Sequence, residues 1–287
     1  MDCSKVLQAS GEDLRVNWDT FWKIFRHGSV KANGIYLHYV EGGNGPVTAW
    51  LFVDPRGVGD SEHPARGYDL KTLATDLHCL VEALGLLAKG PIDVAGHGIG
   101  TWLGYAYAAD WPQDVRRLTV MNASVPGVSA SRTDLDPLEV NLQGWHFGFN
   151  RLDDLPELLL SGRERQFITW LFRAKAMRPW TILPEDVDEY ARQFSAPGTI
   201  RALSDYYRTI FSPEGVVANR ARAQKQLSIP ILALGAERGY GGALVEAMRQ
   251  VASNVSGGEI SGIGHYMLEE GPKQVGDEMI RFFDPSS

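Results

Sequence analysis

Two cysteines, Cys3 and Cys79, are all that the 287 residues contain, one near the beginning and one inside a helical pattern. Neither a disulfide framework nor a cysteine metal site is indicated, and no cofactor motif stands in their place. Long hydrophobic runs are also missing: nothing approaches the roughly 20 consecutive apolar residues of a membrane span. The opening "MDCSKVLQASGEDLRVNW" scatters charges where a signal peptide needs an apolar core, so the expected location is cytoplasmic. Positive charge is in short supply, with 28 Lys and Arg against 35 Asp and Glu, a net charge of −7. That balance argues against a nucleic-acid partner and against an anionic membrane surface. There is no internal repeat and no low-complexity tract. The most telling absence is a single side chain: in "VAGHGIGTWLGYAYAADWP", residues 94–112, the middle of a G-x-x-x-G turn is Gly98. In the strand–turn–helix motif G-x-S-x-G that position carries the nucleophile.

What is present alternates between strand and helix. "SVKANGIYLHYVEGG", residues 29–43, reads as two short strands around an Asn33-Gly34 turn, the strongest short hairpin signal. "VTAWLFVD" (47–54) and "PIDVAG" (91–96) read as buried strands, and "DLKTLATDLHCLVEALGLL" (69–87) between them has helical spacing. The helix "TWLGYAYAADWP" and the strand "RRLTVMNAS" follow. "IPILALGAE", "GGALVEAMRQVA", "SGGEISGIGHY" and "PKQVGDEMIRFF" then continue β, α, β, α to the end. Residues 130–225 interrupt this order with helical segments such as "ERQFITWLFRAKAM" and "TIRALSDYYRTIF". The expected organisation is a core in two parts, 1–129 and 226–287, with a helical cap inserted at 130–225.

Taken in order, "DPRGVGDSEHP" (54–64), "GHGIGTWLGYAYAADWPQDVRRLTVMNASVPG" (96–127), "GWHFGFN" (144–150), "YYR" (206–208) and "GIGHYMLEEGP" (262–272) resemble the α/β-hydrolase fold family. The resemblance is to its epoxide hydrolase and haloalkane or haloacetate dehalogenase branch and spans nearly the whole chain. It implies an α/β fold: a mostly parallel sheet with helices on both faces and a helical cap. In that branch the elbow residue is an Asp that attacks the substrate carbon and forms an ester, which water then hydrolyses. Gly98 holds that slot, and glycine adopts the strained elbow backbone without the cost of a β-carbon.

The remaining site residues are implied by the same resemblance. His265 in "GIGHY" matches the water-activating base, a role suited to an imidazole. Its orienting acid falls at one of two positions. One holds Asn122, which can hydrogen-bond a histidine but cannot stabilise an imidazolium; the other is the "GAERGYG" region, where Glu237 is the only carboxylate. His146 in "WHFGFN" and Tyr207 in "YYR" match hydrogen-bond donors to an epoxide oxygen or a leaving group, with Tyr206 replacing Tyr207 if the helix is rotated. His38, His63, His78 and His97 read as structural or solvated, and Arg56 and Asp60 as loop-stabilising.

A second departure lies between Gly43 and "LFVDPRG". The family places there a strand, an oxyanion loop and a helix, whereas this chain has seven residues. That is too few, at roughly 3.3 Å per strand residue and 1.5 Å per helical residue. The "GGNGP" link suits a tight reversal with Asn44-Gly45 in the turn, so "VTAWLFV" should run antiparallel to "IYLHYV". Loss of a central strand leaves either a gap or a slide that brings "VTAWLFV" beside "IDVAG", and the slide is the expectation because it pairs the backbone. Three function classes follow. One is an enzyme of altered mechanism, moving protons with His265, His146 and Tyr207. Another is a non-catalytic protein binding a small hydrophobic molecule. The third is an inactive or engineered form of an epoxide hydrolase or dehalogenase, or the product of a misassembled gene sequence. The expected partner in each is a small hydrophobic substrate or ligand, with a homodimer as the further assembly.

Overall fold

The computed structural model describes residues 18–43, 50–129 and 138–284. A short helix α1 (Trp18–Ile24) leads into the hairpin β1 (Phe25–Ala32) and β2 (Ile35–Gly42), with Asn33 and Gly34 at positive φ in its turn as expected. The strand β3 (Trp50–Val53) pairs antiparallel with β2, Tyr39 opposite Val53 and Gly42 opposite Trp50. The proposed Asn44-Gly45 turn, like Cys3, lies outside the described residues.

The second sheet is parallel throughout, in the order β4 (Ile92–His97), β5 (Val115–Met121), β6 (Ile231–Ala236) and β7 (Val255–Ile260). Helix α2 (Leu70–Ala83) opens with Asp69, whose carboxylate accepts the Thr72 N–H at 3.0 Å and satisfies a free end donor. Its apolar stripe, Leu70, Leu73, Leu80 and Val81, is buried. Helix α3 (Ile99–Asp110) is buried along Thr101–Ala108 and so lacks a polar face. It joins the main hydrophobic cluster with Leu118, Val120 and Ile231 from the sheet. Between β5 and β6 come the helices α4 (Leu138–Phe149), α5 (Leu155–Leu160), α6 (Glu164–Lys175), α7 (Pro184–Phe194), α8 (Thr199–Ile210) and α9 (Pro213–Ala223). They form an all-helical insertion with a small core of its own around Ile168, Phe172, Ile182 and Val187. Helices α10 (Ala243–Arg249), α11 (Met267–Glu270) and α12 (Pro272–Phe283) complete the chain. Among the described residues no helix is long and apolar enough to cross a membrane.

The slide does not occur. Among the described residues β3 and β4 belong to separate sheets and do not pair. Both strands are less buried than their sequences suggest: Phe52 is 51% exposed, Ala95 is exposed, and most of β4 is only half-buried. The cause is visible in what anchors the smaller sheet. Asp76 on α2 accepts the Asn33 side-chain amide of the hairpin turn at 2.7 Å and holds Arg56, just after β3, through two bonds of 2.7 and 2.8 Å. Burial acts to lower the Arg56 pKa, and the Asp76 hydrogen bond and charge outweigh it, so the guanidinium stays charged. Tyr206 on α8 donates to the Arg56 carbonyl at 2.7 Å, and His38 on β2 bonds Asp54 at 2.8 Å. Moving β3 by a strand's width would break a buried ion pair as well as these bonds, a loss larger than one ladder of backbone pairing recovers.

Candidate functional site

The elbow sits at the carboxyl end of β4. Gly98 has φ 56° and ψ −120°, a conformation that disfavours any residue with a β-carbon. A β-carbon on Gly96 would lie 2.1 Å from the Gly100 carbonyl oxygen, so the turn requires glycine there as well. Thr101 locks the corner, its hydroxyl donating to the Gly96 carbonyl at 2.9 Å and accepting the Met121 N–H at 3.1 Å. The expected elbow is therefore fully built. Above Gly98 a β-carbon would meet no atom within 4 Å, so the nucleophile slot is open.

His265 lies on the loop between β7 and α11 and reaches this corner. Its ring stands 4.9 Å from that of His97, whose Nε2 donates to the His265 carbonyl at 2.6 Å. Of the two expected partners the structure brings only Asn122 to it, with Nδ2 2.8 Å from His265 Nδ1. Glu237 is exposed and instead accepts the Gly262 N–H at 2.8 Å, bracing the loop that carries the histidine.

The orientation of Asn122 decides the state of His265. The amide oxygen of Asn122 accepts two backbone N–H groups, from Tyr240 at 2.9 Å and Ala236 at 3.3 Å. Its NH2 must therefore point at the imidazole, and a donor facing Nδ1 requires that nitrogen to be the acceptor. The neutral ring then carries its proton on Nε2. A carboxylate at residue 122 would do the reverse, holding the proton on Nδ1 and leaving Nε2 free as a base. Burial, the charge of Lys175 and the neighbouring His97 and His146 hold the His265 pKa well below the ordinary histidine value. At neutral pH His265 is a donor through Nε2–H.

His146 on α4 and Tyr207 on α8 meet edge to face with ring centres 5.6 Å apart, and both are buried. His146 and Lys175 of the insertion both act to lower the His265 pKa. Burial takes the His146 pKa down to about 3 and raises that of Tyr207, so both are neutral at pH 7. The Nδ1 atom of His146 has no hydrogen-bond partner among the described residues. Helix phase separates the two tyrosines: Tyr206 is fully buried and spends its hydroxyl on Arg56, leaving Tyr207 as the one beside His146. Tyr206→Phe should accordingly cost about 1 kcal/mol in urea unfolding, the net worth of one hydrogen bond.

Two residues that sequence reasoning passed over, and one that it read as structural, complete the surroundings. Glu270 is 1% exposed and accepts N–H groups from Gly264, Met177 and Arg178 on one oxygen and from Tyr266 on the other, tying the histidine loop to the insertion. His97 is structural, as expected, but within the site. Lys175, the last residue of α6, is 4% exposed, and its carbonyl accepts the His265 N–H at 3.2 Å. His38, His63 and His78 are engaged with Asp54, the Pro197 carbonyl and Asp114 away from the elbow.

A family model described as "Alpha/beta hydrolase family" matches residues 27–278. The chain is 32% identical to a protein named soluble epoxide hydrolase from Corynebacterium sp. (strain C12), over 90% of this chain and 97% of the relative. It is 25% identical to epoxide hydrolase 3 of Mus musculus, over 88% of this chain and 75% of the relative. Among solved structures, wild-type Cfl2 from Burkholderia cenocepacia superposes with a TM-score of 0.85 at 31% identity, covering 91% of this chain and 96% of its own. The epoxide hydrolase CorEH without ligand gives 0.80 at 30% identity, covering 92% and 100%.

Proposed function

We propose that this chain, which belongs to the α/β hydrolase family and is epoxide-hydrolase-like within it, binds a small hydrophobic molecule through an acceptor oxygen. In this reading it carries out no covalent ester chemistry. The helical insertion at 130–225 acts as the cap over the core, and the ligand lies between them. The observation that carries the reading is the Asn122–His265 hydrogen bond. It turns the family's base into a donor, so that His265 Nε2–H and the Tyr207 hydroxyl both suit the oxygen of an epoxide, ketone or alcohol. Gly98 offers no atom to attack carbon, and the open space over it gives the ligand room. What proton transfer the site supports runs from donor to ligand oxygen, as a general acid, and ends without a nucleophile to complete hydrolysis. The net charge of −7 leaves nucleic acid and anionic membranes out of this reading. It sets the protein in the cytoplasm, with a homodimer as the assembly to test by sedimentation.

The test is incubation with styrene oxide, followed by peptide mass analysis and chromatography for the diol. We expect no adduct on the peptide containing Gly98 and no diol above the rate of the buffer, while benzyl alcohol raises the melting temperature of the same protein. Multiple turnover, or an adduct on the elbow peptide, would sink the reading.

A further inference from the structure

His265 is held from three directions, and one of them comes from outside the core. Its carbonyl accepts from His97 at 2.6 Å and its Nδ1 accepts from Asn122 at 2.8 Å, at the ends of β4 and β5. Its backbone N–H donates instead to the Lys175 carbonyl at 3.2 Å, where α6 of the helical insertion ends. The histidine loop meets that segment without slack. A β-carbon on Gly264 would lie 2.5 Å from the Met177 nitrogen and 2.6 Å from the Lys175 carbonyl oxygen. Glu270, the last residue of α11 and 1% exposed, bridges the two segments. Its Oε2 accepts the Gly264 N–H at 2.9 Å from the histidine loop, and those of Met177 at 2.7 Å and Arg178 at 2.8 Å from the insertion. Its Oε1 accepts the Tyr266 N–H at 3.2 Å. One buried carboxylate thus takes four backbone N–H groups, and both neighbours of His265 in the chain are bound to it.

We propose that Glu270 is the positioning residue for His265, fixing the imidazole relative to the helical insertion so that its donor meets the ligand oxygen. What the donor does rests on the proposed binding function; where it is held rests on the hydrogen bonds alone. With Gly264 and Tyr266 both tied to Glu270, the backbone at residue 265 is set, and the side chain keeps only its own rotations. Asn122 selects the tautomer, and Glu270 selects the position. The role needs a carboxylate, because both oxygens must accept. A glutamine at residue 270 has one acceptor oxygen. If that oxygen stays with Gly264, Met177 and Arg178, the NH2 faces the Tyr266 N–H, and two donors meet where a bond stood. The same four bonds make the segment 175–178 a fixed wall of the site, since moving it would pull on the loop that carries His265.

The experiment records the imidazole nitrogen signals of the intact protein carrying 15N-labelled histidine, unmodified and as Glu270→Gln, with benzyl alcohol affinity measured on both. Glu270→Gln should move the His265 Nδ1 signal towards that of a ring nitrogen with no donor. The signal of His78, which is bonded to Asp114 at 2.7 Å, should stay in place. Benzyl alcohol affinity should fall about tenfold, the fold-change of one hydrogen bond. An unmoved His265 signal overturns the inference, whatever stability the variant loses, since a brace of the fold alone would give that result. If the unmodified protein does not bind benzyl alcohol, the binding function falls and the His265 signal still decides the positioning. Should Glu270→Gln fail to fold, hydrogen exchange of the unmodified protein decides. The N–H groups of Gly264, Tyr266, Met177 and Arg178 should then open as one unit. Exchange at Met177 and Arg178 more than about tenfold ahead of Gly264 and Tyr266 would mean that the insertion opens without the histidine loop, and would overturn the inference.

Discussion

Gly98→Asp alone should stop at an alkyl-enzyme ester on the peptide containing residue 98, and Gly98→Asp combined with Asn122→Asp should turn over styrene oxide. A β-carbon at residue 98 meets no atom within 4 Å, so the first carbon of the new side chain is accommodated. Its cost is the positive φ of 56°, of order 1–3 kcal/mol for a residue with a β-carbon. The ester then needs a water deprotonated by His265. With Asn122 in place the imidazole has its proton on Nε2, facing the water, and the same mispaired tautomer costs about 10⁴ in rate in serine proteases. The carboxylate introduced by Asn122→Asp would keep one oxygen on the N–H groups of Ala236 and Tyr240 and accept the Nδ1 proton with the other. Ester breakdown in the double variant should therefore exceed that of the single variant by about 10³–10⁴. It should remain below a full epoxide hydrolase, because the seven residues between Gly43 and Leu51 are too few for the oxyanion loop that the family resemblance implies, and one such donor is worth about 2.7–4 kcal/mol. The measurement is the decay of the peptide adduct after the epoxide is removed. Equal decay in the two variants would mean that Asn122 does not set the tautomer.

The parts of the fold that follow from local chemistry were legible in the chain. Asn33-Gly34 demands a hairpin, the alternation of apolar runs demands a parallel sheet, and the G-x-x-x-G corner demands a strand–turn–helix; each is present. The separation of β3 from β4 was not legible. Once seven residues replace a strand and a helix, a slid sheet and an open one satisfy the local pattern equally. The choice falls to Asp76, which joins Asn33, 43 residues away, to Arg56, 20 residues away. A contact between residues so far apart in sequence has no periodic signature.

The site divides in the same way. His265, His146 and Tyr207 could be picked out because each stands in a distinctive motif, and the structure sets His146 and Tyr207 with ring centres 5.6 Å apart. The choice between Asn122 and Glu237 needed coordinates, since both follow a strand end and only the backbone path brings Asn122 to Nδ1. Tyr206 and Tyr207 differ by one step of helix phase, about 100°, which sequence alone leaves uncertain by a residue. Lys175 was hidden for a different reason. A basic residue in the last turn of a helix is what the helix dipole favours at a solvated surface, and nothing in "ERQFITWLFRAK" announces that this end is buried.

That burial makes Lys175 a strong determinant of stability against pH. Its pKa is depressed to about 8 in the folded chain, against an ordinary value of 10.5. Below pH 8 both states hold the proton, and the folded state carries the penalty of enclosing the charge. Between pH 8 and about 10 the unfolded chain binds more protons than the folded one, so stability rises with pH. A depression of this size corresponds to about 3 kcal/mol. Above pH 10 the buried tyrosines act in the opposite direction: Tyr105, raised to about 12, keeps its proton folded and loses it unfolded. Urea unfolding of the unmodified protein should thus show a stability maximum near pH 10. Lys175→Met, close in shape and uncharged, should flatten the rise from pH 8 and gain up to about 3 kcal/mol at pH 7. A variant that keeps the same slope would show that Lys175 holds its ordinary pKa when folded.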